Sequence, residues 1–412
     1  MKRRDLLKFA AATSVVGCAT TSTPSKARVV VIGGGYGGAT AAKYVRMWDP
    51  SIDVVLVERD AQFVSCPISN LVLAGYTTLQ EISRGYDGLR RHGVQVVQDE
   101  AIAIDAAKKT VRLARGGEIS YERLVVSPGI DFLFEEVQGF EAAMKAGTAL
   151  HAWKAGAQTV ALRRQLEAMP DGGVYVLSVP TQPYRCPPGP YERASMVAAY
   201  FKQHKPRSKV LVLDANPDVT SKGGLFKRAW SELYQGILEF RGNQKVVAVE
   251  RGAVRTDFDT IRGDVINVVP PHRAGDIAQK AGLITTNNRW CDVDWSTMES
   301  KAVKGVHVLG DATLSASGMP KSGSMANNHA KIAAAAIVEQ LNGRKPEPVK
   351  IINTCYSFVS EKEAIRVSSV HQWDGATLQP VKGAGGVSAA RSEAEANYAW
   401  NWARTIWADS LA

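Results

Sequence analysis

The sequence contains five cysteines, and one of them has unusual neighbours. The five are Cys18, Cys66, Cys186, Cys291 and Cys355. None forms a CxxC or CxxCH motif, which argues against a zinc ribbon and against an attached c-type haem. Cys186 lies in the stretch RCPPGP over residues 185–190, so its thiol sits in a chain segment that prolines make stiff. A thiol held in this way could take part in redox or nucleophilic chemistry.

A glycine-rich turn near the N-terminus predicts a dinucleotide site. Residues 28–60 read as strand, turn, helix and strand, and Gly33, Gly35 and Gly38 supply the GxGxxG spacing. The second strand ends at Glu58, where a carboxylate can accept hydrogen bonds from an adenosine ribose. A glycine turn without a ligand is the alternative, but the whole combination favours the dinucleotide.

A second α/β unit, over about residues 157–262, lacks such a fingerprint. Its first strand, at residues 173–177, runs into the proline-rich stretch around Cys186. Because prolines fix φ and lack a backbone N–H, this stretch cannot offer the donors that a pyrophosphate needs. We therefore predict one bound flavin dinucleotide, no nicotinamide, and a thiol in the place where a second nucleotide-binding loop would lie.

A later segment matches the second signature of flavoproteins with two dinucleotide domains. Residues 305–309 form a strand that ends at Gly310 and Asp311, and Asp311 would bond the ribityl chain. The flavin domain is then discontinuous, with the second unit inserted into it. Lys321 precedes a helix that begins near Met325, and a lysine beside a helix N-terminus would stabilise an anionic reduced flavin ring. A surface lysine at a helix cap is the alternative.

The bulk composition excludes several classes of protein. The chain has 412 residues, 45% hydrophobic and 22% charged, which is ordinary for two or three globular domains. The formal net charge is +10, but no dense Lys/Arg cluster or nucleic-acid motif accompanies it. The seven histidines are scattered, so we predict no metal site. After the first 20 residues, no stretch has the apolar length of a membrane span.

The N-terminus predicts export. Residues 2–8, KRRDLLK, match the twin-arginine pattern, and a short apolar run follows. We therefore expect a signal segment over residues 1–27 and a periplasmic location, where a disulfide can persist. Residues 25–27 offer a cleavage site, whereas residues 15–18 resemble a lipoprotein box that would leave a lipid anchor at Cys18. A frayed basic start is the alternative.

Several short motifs carry a resemblance to a known family. They lie at residues 33–44, 85–90, 151–156, 185–194, 310–311, 320–323 and 353–356. On these motifs the sequence resembles the flavoprotein subunit of flavocytochrome c sulfide dehydrogenase, a relative of the sulfide:quinone oxidoreductases. The resemblance implies an α/β fold with two Rossmann-like three-layer domains of the glutathione-reductase type and an α+β C-terminal domain. The expected parts are FAD-binding regions at 28–150 and 265–344, a degenerate NAD-binding-like domain at 151–264 and an interface domain at 345–412.

The resemblance also implies roles for individual residues. Cys66 occupies the position of the cysteine that bonds the flavin 8α-methyl carbon, although the next residue, Pro67, replaces an aromatic residue of some relatives. Cys186 and Cys355 occupy the positions of a redox-active disulfide, and Glu192 that of a proton-handling carboxylate. The residues alone leave other roles open: two buried structural thiols, a free thiol at position 66, and an ion pair between Glu192 and a neighbouring arginine, Arg185 or Arg193. Cys291 is expected to be a packed small hydrophobe.

The implied function is oxidation of hydrosulfide to sulfane sulfur or polysulfide through the disulfide and FAD. The electrons would pass to a separate c-type cytochrome subunit, which carries the haem in a heterodimer. A sulfide:quinone oxidoreductase and a non-catalytic flavoprotein partner of a sulfur-oxidising complex are the alternatives, and the lost second fingerprint disfavours an NAD(P)H-dependent reductase. In the C-terminal part, residues 383–386 (GAGG) are expected to form a flexible loop, and residues 393–411 an amphipathic helix that packs on the core or on a partner.

Overall fold

Runs of Val, Ile and Leu that alternate with helices build two parallel sheets, as expected of an α/β chain. The computed structural model describes residues 25–347 and 350–412. The predicted twin-arginine motif and Cys18 lie outside these residues.

The first sheet has seven strands and draws them from two separate parts of the chain. Five adjacent strands, from Val306–Val308 to the edge strand Gln95–Gln98, are parallel, and the side chains of the first four of them are mostly buried on both faces. In spatial order the strands are Val293–Asp294, Glu299–Ser300, Val306–Val308, Arg123–Val126, Ala27–Ile32, Ile52–Glu58 and Gln95–Gln98. The helices Tyr36–Trp48 and Gly323–Leu341 pack against each other beside this sheet. The domain is therefore discontinuous in sequence.

The second sheet has five strands, all of them parallel. In spatial order they are Ala149–Leu150, Val265–Val268, Val174–Val179, Lys209–Asp214 and Leu238–Arg241. The helices of this unit are Ala157–Ala168, Gly189–His204 and Gly223–Leu233. Because its first and fifth strands along the chain, Ala149–Leu150 and Val265–Val268, pair with each other in the sheet, this unit extends beyond the expected range of 151–264 at both ends.

Short antiparallel sheets and helices complete these two domains. One three-stranded sheet is formed by Ala101–Asp105, Thr110–Leu113 and Glu118–Ser120. Another is formed by Val246–Glu250, Ala253–Thr256 and Thr260–Arg262. The two-stranded sheets are Phe63–Val64 with Ser83–Arg84 and Ile130–Phe132 with His272–Ala274. The short helices are Ser69–Ala74, Asp87–Arg91, Phe134–Glu136, Phe140–Lys145, Asp276–Lys280 and Gly310–Ala312.

The C-terminal part is a three-stranded antiparallel sheet followed by one long helix. The strands are Lys350–Phe358, Ala364–Trp373 and Leu378–Val387, and the helix is Glu393–Leu411. This α+β unit and the two Rossmann-like units confirm the predicted fold class. The expected loop at residues 383–386 is wrong, since these glycines belong to the last strand. A Cβ at Gly385 would lie 2.5 Å from the carbonyl oxygen of Ser368, so glycine permits a close approach of the two strands.

The C-terminal helix is anchored to the first domain by Asp409. Its carboxylate accepts hydrogen bonds from Tyr44 Oη at 2.6 Å and from Asn327 Nδ2 at 2.7 Å, and it pairs with Lys331 Nζ at 2.9 Å. Burial alone would raise the pKa of Asp409, but these donors outweigh it and hold the pKa below its ordinary value. Across the described residues, no helix combines the length and apolar character needed to cross a bilayer.

We expect Asp409→Asn to destabilise the protein by about 1.5 to 3 kcal/mol, since hydrogen bonds to a charged group are lost. Because the folded-state pKa is depressed, this contribution is complete above the pKa of the unfolded chain and is lost as the pH falls through the folded value. Urea unfolding of both proteins at several pH values measures the difference. Asp257→Asn, at an exposed position, is the matched control and should change stability by less than about 0.5 kcal/mol. An equal effect of the two substitutions would contradict the anchoring role.

Candidate functional site

The GxGxxG turn has the geometry of a pyrophosphate cradle. Gly33 has φ +94°, and a Cβ there would lie 2.4 Å from the carbonyl oxygen of Ser127. A Cβ on Gly38 would lie 1.8 Å from the Gly33 carbonyl oxygen, so the helix can approach the turn only at glycine. A Cβ on Gly35 would meet open space. The first and last glycines thus shape the turn, and the middle one leaves room for a phosphate at the helix N-terminus.

Glu58 lies beside this turn at the carboxyl end of its strand. One carboxylate oxygen accepts the Gly34 N–H at 2.5 Å, and the other accepts the Asp60 N–H at 2.8 Å. These bonds fix the carboxylate at the edge of the sheet, where the acid of a dinucleotide-binding domain meets the ribose.

Asp311 supplies an independent sign that the cavity is built for a polar ligand. Its side chain lines the cavity, and its Oδ1 atom is buried without a hydrogen-bond partner. Burial raises the pKa of this carboxyl group. A ribityl hydroxyl would provide the donor that Oδ1 lacks, because buried polar groups are almost always hydrogen-bonded. Together with the glycine cradle and Glu58, this orphaned oxygen fits a bound FAD.

One cavity, open towards the glycine turn, receives residues from all three parts of the chain. Its lining includes Gly35, Cys66, Asn70, Trp153, Arg185, Cys186, Glu192, Arg193, Asp311, Cys355, Tyr356 and Trp402. The structure therefore brings Cys66, Cys186, Cys355, Glu192 and Asp311 together, as the sequence predicted for a single site.

Cys66 follows the short strand Phe63–Val64. The Ala155 N–H points at its Sγ at 3.5 Å, and the Trp153 carbonyl oxygen lies 3.8 Å from the same atom. These contacts place the thiol at the junction of the two large domains, on the wall of the cavity. The covalent flavin link at this position stays a prediction.

Cys186 is held by the turn that replaces the second fingerprint. Its φ is +59°, which is unusual for a residue with a side chain. Its N–H donates to the Lys321 carbonyl oxygen at 2.9 Å, and its own carbonyl accepts from Gly189 at 2.8 Å, at the start of the helix Gly189–His204. Burial raises the pKa of the Cys186 thiol, and the nearby Cys355 and Glu192 raise it further.

Cys355 reaches the same cavity from the C-terminal sheet. It lies in the strand Lys350–Phe358, and it is a free thiol in this structure, as is Cys186. Burial raises the pKa of the Cys355 thiol, while the ammonium group of Lys222 acts in the opposite direction. The two cysteines line the same cavity although they are distant in sequence. The disulfide between them stays a prediction.

Glu192 is buried on the helix Gly189–His204 and faces both cysteines. Its carboxylate accepts a hydrogen bond from Asn70 Nδ2 at 2.8 Å and another from the Phe358 N–H at 2.8 Å. Its hydrogen-bond partners are thus an amide and a backbone group rather than either neighbouring arginine. Burial raises the pKa of Glu192, and the two hydrogen bonds offset part of that effect. A buried carboxyl group whose pKa is raised can hold a proton more readily than an ordinary glutamate and can pass it to a neighbouring group.

Lys321 lies between the Asp311 turn and the turn that holds Cys186. Its ammonium group donates to the carbonyl oxygens of Asp311, at 3.1 Å, and Thr313, and lies 3.7 Å from the centre of the Trp290 ring. Burial lowers the pKa of Lys321 to about 7. The cavity lining includes the following residues, Ser322 and Gly323, but not this lysine. The structure therefore shows Lys321 supporting the Asp311 turn and the Cys186 backbone, and its role towards the flavin stays a prediction.

The place where a second nucleotide would bind is filled by the protein itself. Asp214 ends the strand Lys209–Asp214, as a ribose-binding acid would. Its carboxylate is fully buried and accepts from Tyr191 Oη at 2.7 Å and from the Asn216 backbone N–H at 2.8 Å. The Asp214 carboxylate therefore makes its hydrogen bonds within the protein. Cys291 is fully buried in the core of the first domain, as expected of a packed small hydrophobe.

The sequence interpretation did not single out Asn70 and Lys222, and it considered Arg193 only as a possible ion-pair partner of Glu192. Asn70 and Arg193 share a hydrogen bond of 3.1 Å beside Glu192, and Arg193 stacks 4.8 Å from the centre of the Trp153 ring. Lys222 is buried next to Cys355. Arg193 lies within a motif that the sequence singled out, but nothing in the local sequence distinguishes Asn70 or Lys222 from ordinary helix-start residues.

Three family models match successive parts of the chain. Residues 27–164 match the pyridine nucleotide-disulphide oxidoreductase model. Residues 159–270 match the central part of the sulfide dehydrogenase (flavocytochrome c) flavoprotein chain, and residues 347–411 match the flavin-binding part of flavocytochrome c sulphide dehydrogenase.

Relatives among characterised proteins agree with these models. The chain is 26% identical over 309 residues to the mitochondrial sulfide:quinone oxidoreductase of Mus musculus, an alignment that covers 69% of this chain and 65% of the mouse protein, just under two thirds of its length. It is 64% identical over 45 residues to the sulfide dehydrogenase (flavocytochrome c) flavoprotein chain of Chlorobaculum thiosulfatiphilum, covering 11% of this chain and 94% of that sequence.

The solved structure of the sulfide:quinone oxidoreductase from Aquifex aeolicus has the same fold. It superposes with a TM-score of 0.77 at 18% identity and covers 93% of this chain and 91% of its own. The matched models, the relatives and a cavity that fits a flavin agree with one another. The central and C-terminal parts of the chain are therefore similar to flavocytochrome c sulfide dehydrogenase flavoprotein chains, and a larger part is similar to the sulfide:quinone oxidoreductases.

Proposed function

We propose that this chain is the flavoprotein subunit of a sulfide dehydrogenase. It oxidises hydrosulfide to sulfane sulfur or polysulfide through a Cys186–Cys355 disulfide and FAD, and it passes the electrons to a c-type cytochrome subunit. The observation that carries the proposal is that these two cysteines, distant in sequence, line one cavity with Cys66 and Asp311.

The oxidised pair is an electrophile for a soft sulfur anion. Hydrosulfide attacks one sulfur of the disulfide, the S–S bond breaks, and the products are a persulfide on the attacked cysteine and a thiolate on the other. A second hydrosulfide attacks the outer sulfur of the persulfide and releases HSS⁻, which leaves both cysteines reduced. The two electrons that hydrosulfide loses are then held by the cysteine pair.

Charged groups on the cavity wall support this chemistry. Arg185 and Arg193 line the cavity and favour entry of a small anion. Glu192 lies beside both cysteines, and its raised pKa lets its carboxylate oxygen accept a proton from hydrogen sulfide or return one to a leaving thiolate.

The same residues provide for the cofactor. Gly33, Gly35 and Gly38 would cradle the FAD pyrophosphate, Glu58 would bind the adenosine ribose, and Asp311 would bond the ribityl chain through its unpartnered oxygen. Cys66 is the candidate for the covalent link. Bound FAD would supply an acceptor that takes electrons in pairs and gives them up singly.

A cytochrome acceptor is favoured over a quinone by the matched models of the central and C-terminal parts, which are those of flavocytochrome c. The apolar residues Ile406, Trp407 and Leu411 of the C-terminal helix are buried against the core. This apolar face of the helix therefore packs within the protein rather than against a membrane. The relationship to the mouse enzyme keeps a quinone as the second candidate.

Export to the periplasm belongs to the same proposal. Residues 2–8 match the twin-arginine pattern, and this route carries folded proteins that have already gained a cofactor. A disulfide can persist at the destination. Processing before residue 28 and a lipid anchor at Cys18 are the two alternatives for the mature N-terminus.

Replacement of either redox cysteine should stop the chemistry at its first step. We expect Cys186→Ser and Cys355→Ser each to slow anaerobic bleaching of the flavin absorbance by sulfide by about 100-fold or more, since a covalent step is removed. Cys291→Ala, in the core away from the cavity, should bleach at the normal rate. Normal bleaching in either serine variant would rule out the disulfide route.

The flavin link can be tested on the denatured chain. After acid denaturation, flavin fluorescence should stay with the polypeptide on a gel, and Cys66→Ser should release it. Cys291→Ala again serves as the control that keeps the fluorescence. Free flavin from the unmodified chain would show that the cofactor is bound without a covalent bond.

The acceptor can be identified by direct competition. With sulfide as donor, a soluble c-type cytochrome should be reduced at least about tenfold faster than a short-chain quinone, because the proposed partner is a haem protein. The opposite order would select the quinone alternative. No reduction of either acceptor, with a flavin that sulfide does not bleach, would select the non-catalytic alternative.

A further inference from the structure

Lys222 is a buried cation for which the proposed chemistry has so far no use. It precedes the helix Gly223–Leu233 and adopts φ +56°. Only 7% of the residue is exposed. Its Nζ donates to the Cys355 carbonyl oxygen at 3.2 Å and to Ser357 Oγ at 2.8 Å, both on the strand that carries the redox cysteine. Within the described part of the chain, it forms no ion pair with a carboxylate.

A buried ammonium group with only neutral partners is costly, because desolvation is not repaid by an opposite charge. Such a group is retained where it balances a negative charge that arises during function. The acidic groups that act on it are the thiols of Cys355 and Cys186 and the carboxyl groups of Glu192 and Glu395. Cys355 is the strongest of them, and Lys222 is in turn the cation that favours the Cys355 thiolate.

We propose that Lys222 is a positioning residue that stabilises the thiolate form of Cys355 in the reduced protein. It acts through Cys355 and does not itself meet the substrate. This role rests on the proposed function, since a stabilised thiolate is useful only if opening of the disulfide places negative charge on Cys355.

The charges around Cys355 give the proposal a direction. Lys222 favours the thiolate, whereas Glu192 disfavours it, and no other charged group acts on Cys355 as strongly in the described chain. Burial, Cys355 and Glu192 raise the pKa of the Cys186 thiol, and of the two cations that lower it Arg185 acts more strongly than Lys222. Lys222 itself is influenced more by Cys355 than by Cys186. Removal of the lysine should therefore raise the pH at which Cys355 ionises, and removal of Glu192 should lower it.

The test measures ionisation of the cysteine rather than turnover. The full-length protein with bound flavin is reduced with dithiothreitol, and brief pulses of iodoacetamide are given across a pH series. Mass spectrometry of the Cys355 peptide then gives the pH midpoint of its alkylation. We expect Lys222→Met to raise this midpoint by about 1 to 3 pH units, the effect of one opposite charge nearby. Lys222→Arg should restore it, and Glu192→Gln should shift it downwards.

Matched controls separate the electrostatic role from a structural one. Lys227→Met removes an exposed lysine from the following helix and should leave the midpoint unchanged. If Lys222 only shapes the strand, Lys222→Met changes the alkylation rate equally at every pH without moving the midpoint, and that result overturns the proposal. If Lys222→Met does not retain flavin, Lys222→Gln, which keeps a hydrogen-bond donor, takes its place.

One measurement needs no substitution at all. In the unmodified reduced protein, Cys355 should have a lower alkylation midpoint than Cys186, and the reverse order would overturn the proposal. Bleaching of the flavin by sulfide is recorded on the same sample. A Lys222-dependent midpoint without bleaching would defeat the proposed function and keep the Lys222 assignment. Bleaching of the flavin together with a Cys355 midpoint that does not depend on Lys222 would support the proposed function and overturn the Lys222 assignment.

Discussion

The site depends on the position of one strand, Lys350–Phe358, which carries Cys355 into a cleft between the other two domains. Buried polar groups hold this strand from both sides. From the second domain, Glu192 accepts the Phe358 N–H at 2.8 Å and Lys222 donates to Ser357 Oγ at 2.8 Å. From the first domain, Ser322 Oγ bonds Asn353 Oδ1 at 2.9 Å. Because unpaired buried polar groups are costly, these bonds leave the strand few alternative positions.

The opposite wall of the cleft is fixed by backbone conformation. Cys186 adopts a positive φ in a proline-rich turn, and its N–H bonds the Lys321 carbonyl oxygen. The Lys321 ammonium in turn holds the carbonyl groups of the Asp311 turn. The cysteine that replaced a nucleotide-binding loop is thus tied to the turn that would contact the flavin. Turns that are held in this way keep the reacting groups in fixed relative positions, so no conformational entropy is lost in positioning them when the reaction occurs.

Prediction from sequence succeeded where a residue type has one physical use. Gly33 and Gly38 could be assigned because only glycine tolerates their φ or their close contacts, and the helix Glu393–Leu411 appears with the predicted bounds. It failed where the use depends on partners. The glycines at 383–386 look like a loop, yet they belong to a strand, and Gly385 permits its close pairing with the neighbouring strand. Lys222 and Asn70 carry no local signal, since their roles arise only from neighbours that are remote in sequence.

The sequence by itself determined the local chemistry: a dinucleotide turn with its acid, a missing second fingerprint, and thiols in unusual surroundings. These features depend on short-range sterics and on the identity of single side chains, and both can be read directly from the sequence. The grouping of the thiols with Glu192 was expected only through the resemblance, and only the tertiary structure decided which lysine lies beside Cys355 and which polar groups hold the cavity wall. Those relations depend on packing between three domains and on the burial of charge, and neither is encoded in the spacing of residues along the chain.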